Sequence, residues 1–84
     1  MAIMHSLRRA LRSRFPGATI RLARFSPGGR VSGSLIWEGF DLKAQIDRQL
    51  LLREAIQKLP PDDQSKVSFI LTLTPEEHES LAHA

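Results

Sequence analysis

The sequence contains no cysteine among its 84 residues. This absence excludes disulfide bonds, thiolate metal sites and cysteine nucleophiles, and it leaves the core without a covalent cross-link. Histidine occurs only three times, at His5, His78 and His83, and two of the three lie near the chain ends, where chains tend to fray. A metal centre or a histidine-based catalytic site therefore has few residues from which it could be built.

The sequence also lacks any apolar run that approaches the ~18 residues of a membrane-spanning helix. With 42% hydrophobic and 25% charged residues, the composition is that of an ordinary folded domain. We expect a single domain over residues 1–84. The arginine-bearing first residues resemble a transit peptide, but they run directly into a strand pattern, so we interpret them as a structural helix of a cytoplasmic protein.

Acidic residues are absent from the first 30 positions, which hold seven arginines, whereas the other 54 positions hold five basic and nine acidic residues. Such a basic region attracts nucleic acid or acidic lipid. It is equally compatible with a solvated arginine surface, or with a homodimer in which it meets the acidic half of a second copy. The candidate contacts to nucleic acid or another anion are Arg8, Arg9, Arg12, Arg21, Arg24, Arg30, Lys43, Arg48 and Lys66.

Hydrophobic periodicity predicts a helix followed by a β-hairpin. Apolar residues at four-residue spacing define the helix, which Pro16-Gly17 ends. The alternating stretches 18–25 and 30–37 flank the turn sequence 26–29 and predict the hairpin. Gly33 indicates a bulge or a close approach of another backbone segment. The predicted apolar stripe of the helix consists of Ile3, Leu7, Leu11 and Phe15.

The second half predicts a long helix, a strand and a short helix. The long helix runs from Asp41, a plausible N-cap, to about Leu59, before the polar loop 60–64. Residues 66–73 are typical of a strand that is apolar on both faces, which favours a central position. Thr74 and Glu77 predict a capping box for the last helix. The order αββαβα predicts an α+β domain, with a three-stranded mixed sheet and helices packed on one face.

This order, together with three motifs, resembles the BolA-like family, whose fold is similar to the type II KH architecture. The motifs are "FPGATIRL" after the first helix, "F-x-x-K-x-x-x-x-R" at the middle helix and "TPEE" after the last strand, so the similarity covers nearly the whole chain. Phe40, Lys43 and Arg48 match the family pattern. Leu42 stands where glycine is usual, and Gln49 stands where histidine is usual.

The resemblance implies a glutaredoxin-like protein partner and a shared [2Fe–2S] cluster. The family's ligands are a histidine at the start of the last strand and a histidine or cysteine in the hairpin loop. Here the strand position holds Lys66, and the loop 26–30 has neither residue type. Iron in such sites needs thiolate or imidazole donors, and a lysine ammonium group has no lone pair. We therefore expect neither cluster binding nor another cofactor.

The resemblance also implies DNA binding, and a KH-like fold admits RNA. The KH clamp, however, is a GXXG loop, and none of the five glycines has that spacing. Nucleic-acid binding would then depend on arginine contacts to phosphate.

No motif predicts catalysis: the sequence has no phosphate-binding glycine loop, no nucleophile–base pattern and no zinc spacing. The adjacent Glu77 and His78 lack a pocket-forming loop or a further partner for acid–base chemistry. We therefore expect a non-enzymatic module that acts through protein contacts, with nucleic-acid binding as the alternative. Four residues are candidate contacts to a protein partner, although they could instead belong to the core: Trp37, Phe40, Ile46 and Leu50.

Overall fold

The computed structural model describes residues 3–25 and 28–82 and confirms the predicted α+β class and the order αββαβα. A short helix is inserted where the sequence predicted a loop, and a 3₁₀ turn, Glu38–Phe40, follows the hairpin. The elements are α1 (Ile3–Arg14), β1 (Thr19–Phe25), β2 (Arg30–Ile36), α2 (Gln45–Ile56), α3 (Pro61–Gln64), β3 (Val67–Leu73) and α4 (Pro75–Ala82).

The three strands form one mixed sheet in the order β1-β2-β3. β1 pairs with β2 antiparallel, and β2 pairs with β3 parallel, as the helical crossover predicted. The central strand is β2, so the prediction of a central β3 was wrong. Phe69 and Leu71 on β3 are 60% and 47% exposed. Apolar residues on both faces of a strand therefore did not indicate burial of both faces.

The core lies between the sheet and the two longer helices. The whole predicted stripe of α1, from Ile3 to Phe15, is buried. Helix α2 contributes Leu52 and Ala55 from its inner side. The strands add Val31, Leu35 and Ile70.

Gly33 fulfils both of its predicted roles. The pairing of β2 with β3 shifts register between Val31 and Gly33, as at a β-bulge. A Cβ atom at Gly33 would overlap the carbonyl oxygen of Arg21 on β1. The hairpin therefore depends on the absence of a side chain at this position.

The N-cap of helix α2 lies three residues later than predicted. Asp41 ends the 3₁₀ turn instead of capping a helix, since its N–H group donates to the carbonyl of Glu38 at 3.0 Å. Leu42 then adopts a positive φ of 63°, which interrupts any continuous helix. The N-cap of α2 is Ala44, which makes no side-chain capping bond.

The predicted capping box of α4 is confirmed. The N–H of Thr74 donates to Oε1 of Glu77 at 2.8 Å, and the N–H of Glu77 donates to Oγ1 of Thr74 at 3.1 Å. These two bonds start α4 immediately after β3. They also fix the Glu77 carboxylate at the C-terminal end of the strand.

Candidate interaction surfaces

Three aromatic rings close the end of the core beside the 3₁₀ turn. Phe15, Trp37 and Phe40 lie with ring centroids 5.1 to 5.5 Å apart, in edge-on or tilted contacts. Trp37 is half-buried, and its indole N–H donates to the carbonyl of Pro16 at 3.0 Å. Phe40 is fully buried. Its side chain belongs to the core, which corrects its assignment as a partner contact.

Arg48 is also a core residue and not an exposed anion contact. It is 5% exposed, and its guanidinium donates to the carbonyls of Lys43 at 2.9 Å and Thr72 at 3.2 Å. The same guanidinium forms an ion pair with Glu77, with Nη1 2.6 Å from Oε1. It lies 5.8 Å from the centre of the Phe40 ring. Since its donors are used inside the domain, Arg48 is not available to phosphate.

The ion pair changes the acidity of Glu77. The hydrogen bond from Arg48, followed by the one from the backbone N–H of Thr74, lowers the pKa of Glu77 below its ordinary value. The carboxylate therefore remains charged and bound to the guanidinium. Because the carboxylate is bound to Arg48, Glu77 is poorly placed to act as an acid or base with the adjacent His78.

Two glutamines of α2 complete the polar network over β3. Gln45 Nε2 donates to the carbonyl of Thr72 at 3.0 Å, and its Oε1 accepts from the Thr72 hydroxyl at 2.7 Å. Gln49 Nε2 donates to the carbonyl of Ile70 at 3.2 Å and to the Thr72 hydroxyl at 3.1 Å. Gln49, at the position of the family's histidine, thus has a structural role that sequence reasoning missed. Only the three-dimensional fold brings these partners together.

Most of the predicted cationic contacts remain on the surface. Arg8 is half-buried and donates to the carbonyl of Ile20 at 3.2 Å. The exposed arginines lie on α1, β1 and the start of β2, which are neighbouring elements, whereas the two lysines lie in the connections before α2 and before β3. The exposed residues are Arg9, Arg12, Arg21, Arg24, Arg30, Lys43 and Lys66.

An apolar stripe faces solvent on and beside α2. Ile46 and Leu50 lie one helical turn apart and are 71% and 50% exposed, on the side of α2 opposite Leu52 and Ala55. Leu42, four residues before Ile46, is 98% exposed. We call Leu42, Ile46 and Leu50 the α2 stripe. Of the four predicted partner contacts, Ile46 and Leu50 are thus the two whose side chains are mainly exposed and lie outside the core.

Leu42 combines exposure with an unfavourable backbone. It is the one non-glycine residue with positive φ among residues 3–25 and 28–82. The left-handed conformation costs a non-glycine residue about 1–2 kcal/mol, and a side chain that is 98% exposed gains no packing energy in return. The glycine that is usual here in BolA-like proteins would avoid this cost. The sequence showed that leucine stands where glycine is usual, but it did not indicate the positive φ that makes this replacement costly.

Lys66 and the hairpin loop stand where the resemblance implies metal ligands. Lys66 is exposed, and its carbonyl accepts from the N–H of Val31 at 2.8 Å. In the hairpin loop, Gly28, Gly29 and Arg30 offer no imidazole or thiolate, and positions 26 and 27 lie outside the described residues. Within the described ranges, no three histidine or acidic side chains lie close enough together to hold a metal ion.

A groove of about 670 Å³ lies between α4 and the neighbouring end of the sheet, and His78, Trp37 and Arg21 line part of it. In the part of the chain that the structure describes, none of the helices has the length and apolar content needed to cross a bilayer.

Comparison with solved structures identifies the architecture. A crystal structure of a Bol-like protein from Babesia bovis matches this chain with a TM-score of 0.66, and the match covers 93% of this chain and 91% of that chain. This chain has the BolA-like fold. The two sequences are 22% identical, so the likeness carries the fold and not the activity. No family model and no curated protein matches the sequence.

Proposed function

We propose that this BolA-like domain is a non-enzymatic module that binds a partner protein through the α2 stripe. Leu42 is the observation that carries the proposal. Its conformation costs the domain free energy and its side chain packs against nothing within the domain. Local strain of this kind is concentrated at functional sites, and contact with a partner would give the side chain a role.

The position of the other two residues supports the same surface. Ile46 and Leu50 extend the apolar surface along the exposed side of α2, with the charged residues Asp47, Arg53 and Glu54 around them. An apolar centre with a charged rim is typical of protein interfaces. We therefore expect the partner to present an apolar groove or an apolar helix side bordered by polar residues.

The polar network beneath α2 prepares this surface for binding. Arg48, Gln45 and Gln49 hold the first turns of α2 against β3 through side-chain bonds to the strand. A surface that is already rigid loses less conformational entropy when it binds. The network therefore serves the proposed interface, although none of its members needs to touch the partner.

We further propose that this contact does not involve a shared iron–sulfur cluster. Lys66 and the glycines of the hairpin loop support this proposal because they lack the donor atoms that iron needs. Reconstitution with a monothiol glutaredoxin, iron and sulfide should give no visible cluster absorbance that depends on this chain. A cluster absorbance that appears only with this chain would contradict the proposal, and its loss in Lys66→Ala would contradict the argument about Lys66 in particular.

Site-specific cross-linking tests the α2 stripe directly. A photo-reactive amino acid placed at Leu50 should cross-link one partner protein in the native cells, whereas the same group at the exposed Lys58 should not. The captured protein, once purified, should bind the wild-type chain. The double variant Leu42→Gly/Ile46→Ser should weaken that binding at least tenfold, and Lys58→Ser should leave it unchanged. Equal capture at both positions, or equal binding by all variants, would refute this surface.

Nucleic-acid binding remains the second candidate because five arginines of α1, β1 and β2 are exposed. Such binding would depend on phosphate contacts, so affinity should fall steeply between 50 and 200 mM salt. The double variant Arg9→Ala/Arg12→Ala should lower it further. If duplex DNA, single-stranded DNA and RNA all fail to bind at low salt, this candidate is excluded.

A further inference from the structure

The sheet has two edges, and α2 covers the one formed by β3. The carbonyls of Ile70 and Thr72 point away from β2, and they accept hydrogen bonds from Gln49, Gln45 and Arg48. A strand arriving at this edge would have to displace three side chains. The structure thus closes the β3 edge with groups that belong to the domain itself.

The direction of the backbone groups of β1 follows from those of β2. The N–H of Val31 donates to Lys66, and the N–H of Trp37 donates to Leu73, so the odd-numbered residues of β2 direct their backbone groups toward β3. The even-numbered residues of β2 therefore direct theirs toward β1, because successive residues of a strand alternate.

The register then identifies the free groups of β1. Arg21 lies opposite Ser34, so the odd-numbered residues of β1 bond to β2. The even-numbered residues Ile20, Leu22 and Arg24 point their N–H and C=O groups away from the sheet. Within residues 3–25 and 28–82, no backbone or side-chain group bonds to the outward groups of Leu22 or Arg24. The β1 edge is therefore open at Leu22 and Arg24, whereas side chains of α2 occupy the β3 edge.

Arginine side chains surround this open edge. Arg8 reaches it from α1 and bonds to the carbonyl of Ile20. Arg21 and Arg24 are exposed on β1 itself, and Arg30 lies opposite Phe25 at the hairpin end. No acidic residue occurs in the first 30 positions, although Glu38 and Glu79 line the same groove as Arg21. The edge thus presents backbone donors and acceptors within a positively charged surface.

We propose that the β1 edge binds an extended, acidic segment of a partner protein as a fourth strand of the sheet. Backbone pairing at an exposed edge is an established mode of peptide recognition. A polypeptide matches both the N–H and the C=O groups of Leu22 and Arg24, whereas phosphate groups only accept hydrogen bonds. Pairing of β1 with β1 of a second copy would bring arginines of like charge together, which disfavours it.

This inference rests on the proposed function only in that both invoke a protein partner. It uses β1, whereas the proposed function uses the α2 stripe. Variants of one surface therefore leave the other intact, and the two proposals fail separately.

Amide hydrogen exchange on the full chain, measured by NMR at pH 7, tests the proposal without a variant. The probe is a ten-residue peptide of alternating glutamate and valine. At nine-tenths occupancy, exchange of the Leu22 and Arg24 amides should slow about tenfold, because only the free tenth exchanges. The same glutamate–valine peptide with every backbone amide N-methylated has the same charge but no backbone N–H to donate on either side of the strand, and it should give no such protection.

Two variants separate charge from backbone pairing. Arg24→Ala removes one cation and should weaken binding of the glutamate–valine peptide several-fold. Arg24→Pro removes the same cation and also the outward N–H, so it should weaken binding by about a further tenfold, with an unchanged circular dichroism spectrum. Lys58→Ala, a loss of charge on another part of the surface, should have no effect.

Three outcomes would overturn the proposal. One is equal protection of Leu22 and Arg24 by the N-methylated peptide, which would indicate electrostatic attraction alone. The second is the same protection pattern with a ten-nucleotide single strand, which would assign the edge to nucleic acid. The third is protection that depends on protein concentration without any peptide, which would assign it to a second copy.

Discussion

Arg48 of α2 and the exposed arginines of the N-terminal region have opposite roles in this molecule. In the C-terminal half, Arg48 is 5% exposed and donates to two carbonyls and to the carboxylate of Glu77. In the N-terminal half, Arg12, Arg21 and Arg24 are exposed, in a region without acidic residues. The number of arginines in the sequence therefore does not show how many are available to bind a partner. Burial and the presence of acceptors decide that.

The same contrast separates the two edges of the sheet. Side chains of α2 bond to the outward carbonyls of Ile70 and Thr72 on β3, whereas among residues 3–25 and 28–82 the side-chain bond to an outward carbonyl of β1 is the one from Arg8 to Ile20. The bonded carbonyls of β3 hold α2 in place. The β1 edge leaves exposed arginines and the outward backbone groups of Leu22 and Arg24 available.

Replacing Arg48 should have the largest effect on stability. Arg48→Met removes the donors to Lys43, Thr72 and Glu77, and we expect the free energy of unfolding to fall by about 2–4 kcal/mol. Urea denaturation followed by circular dichroism measures the change. The matched variant Arg12→Met, on the exposed side of α1, should change stability by less than about 0.5 kcal/mol. Similar losses in both variants would remove the contrast between the two halves.

The hydroxyl of Thr72 should have the next largest effect. Thr72 is 1% exposed, and its hydroxyl bonds to both Gln45 and Gln49. Thr72→Val keeps the shape but leaves the two amides without this partner, which should cost about 1–2 kcal/mol in the same urea experiment. The equivalent change on the exposed residue Thr19 should have almost no effect, and equal costs at both sites would show that the network is not stabilising.

Leu42→Gly should stabilise the domain and weaken partner binding. Relief of the left-handed conformation contributes about 1–2 kcal/mol, and the greater freedom of glycine in the unfolded chain offsets about half of it. A net gain of about 0.5–1 kcal/mol is expected in thermal or urea unfolding. If Leu42→Gly destabilises the domain, Leu42 has an internal structural role and the argument for the α2 stripe loses its main support.

The pH dependence of the Arg48–Glu77 pair should be the smallest effect, because the Glu77 side chain is 44% exposed and solvent screens the interaction. The folded-state pKa of Glu77 is lowered, so its contribution to stability is present above the unfolded-state pKa and is lost as the pH falls through the lowered value. The stability gap between wild type and Glu77→Gln should therefore be larger at pH 7 than at pH 3. A gap that grows on acidification would contradict this assignment.

Local sequence patterns were enough to predict the longer elements, the last helix and their order. The four-residue spacing in α1, the alternation in β1 and β2 and the Thr74–Glu77 capping box are local patterns, and each depends on residues a few positions apart. Local backbone geometry relates these spacings directly to structure. The resemblance to BolA-like proteins likewise followed from motifs within single segments, and the fold confirms it.

The tertiary structure alone decided which residues are available to partners. Arg48 and Glu77 are 29 positions apart, and the apolar residues Leu50 and Leu52 lie close in sequence on opposite sides of α2. The position of β3 at an edge and the positive φ of Leu42 also carried no local signal. Burial and hydrogen bonding depend on the elements that pack against a residue. A sequence pattern shows periodicity, but it does not identify which elements those will be.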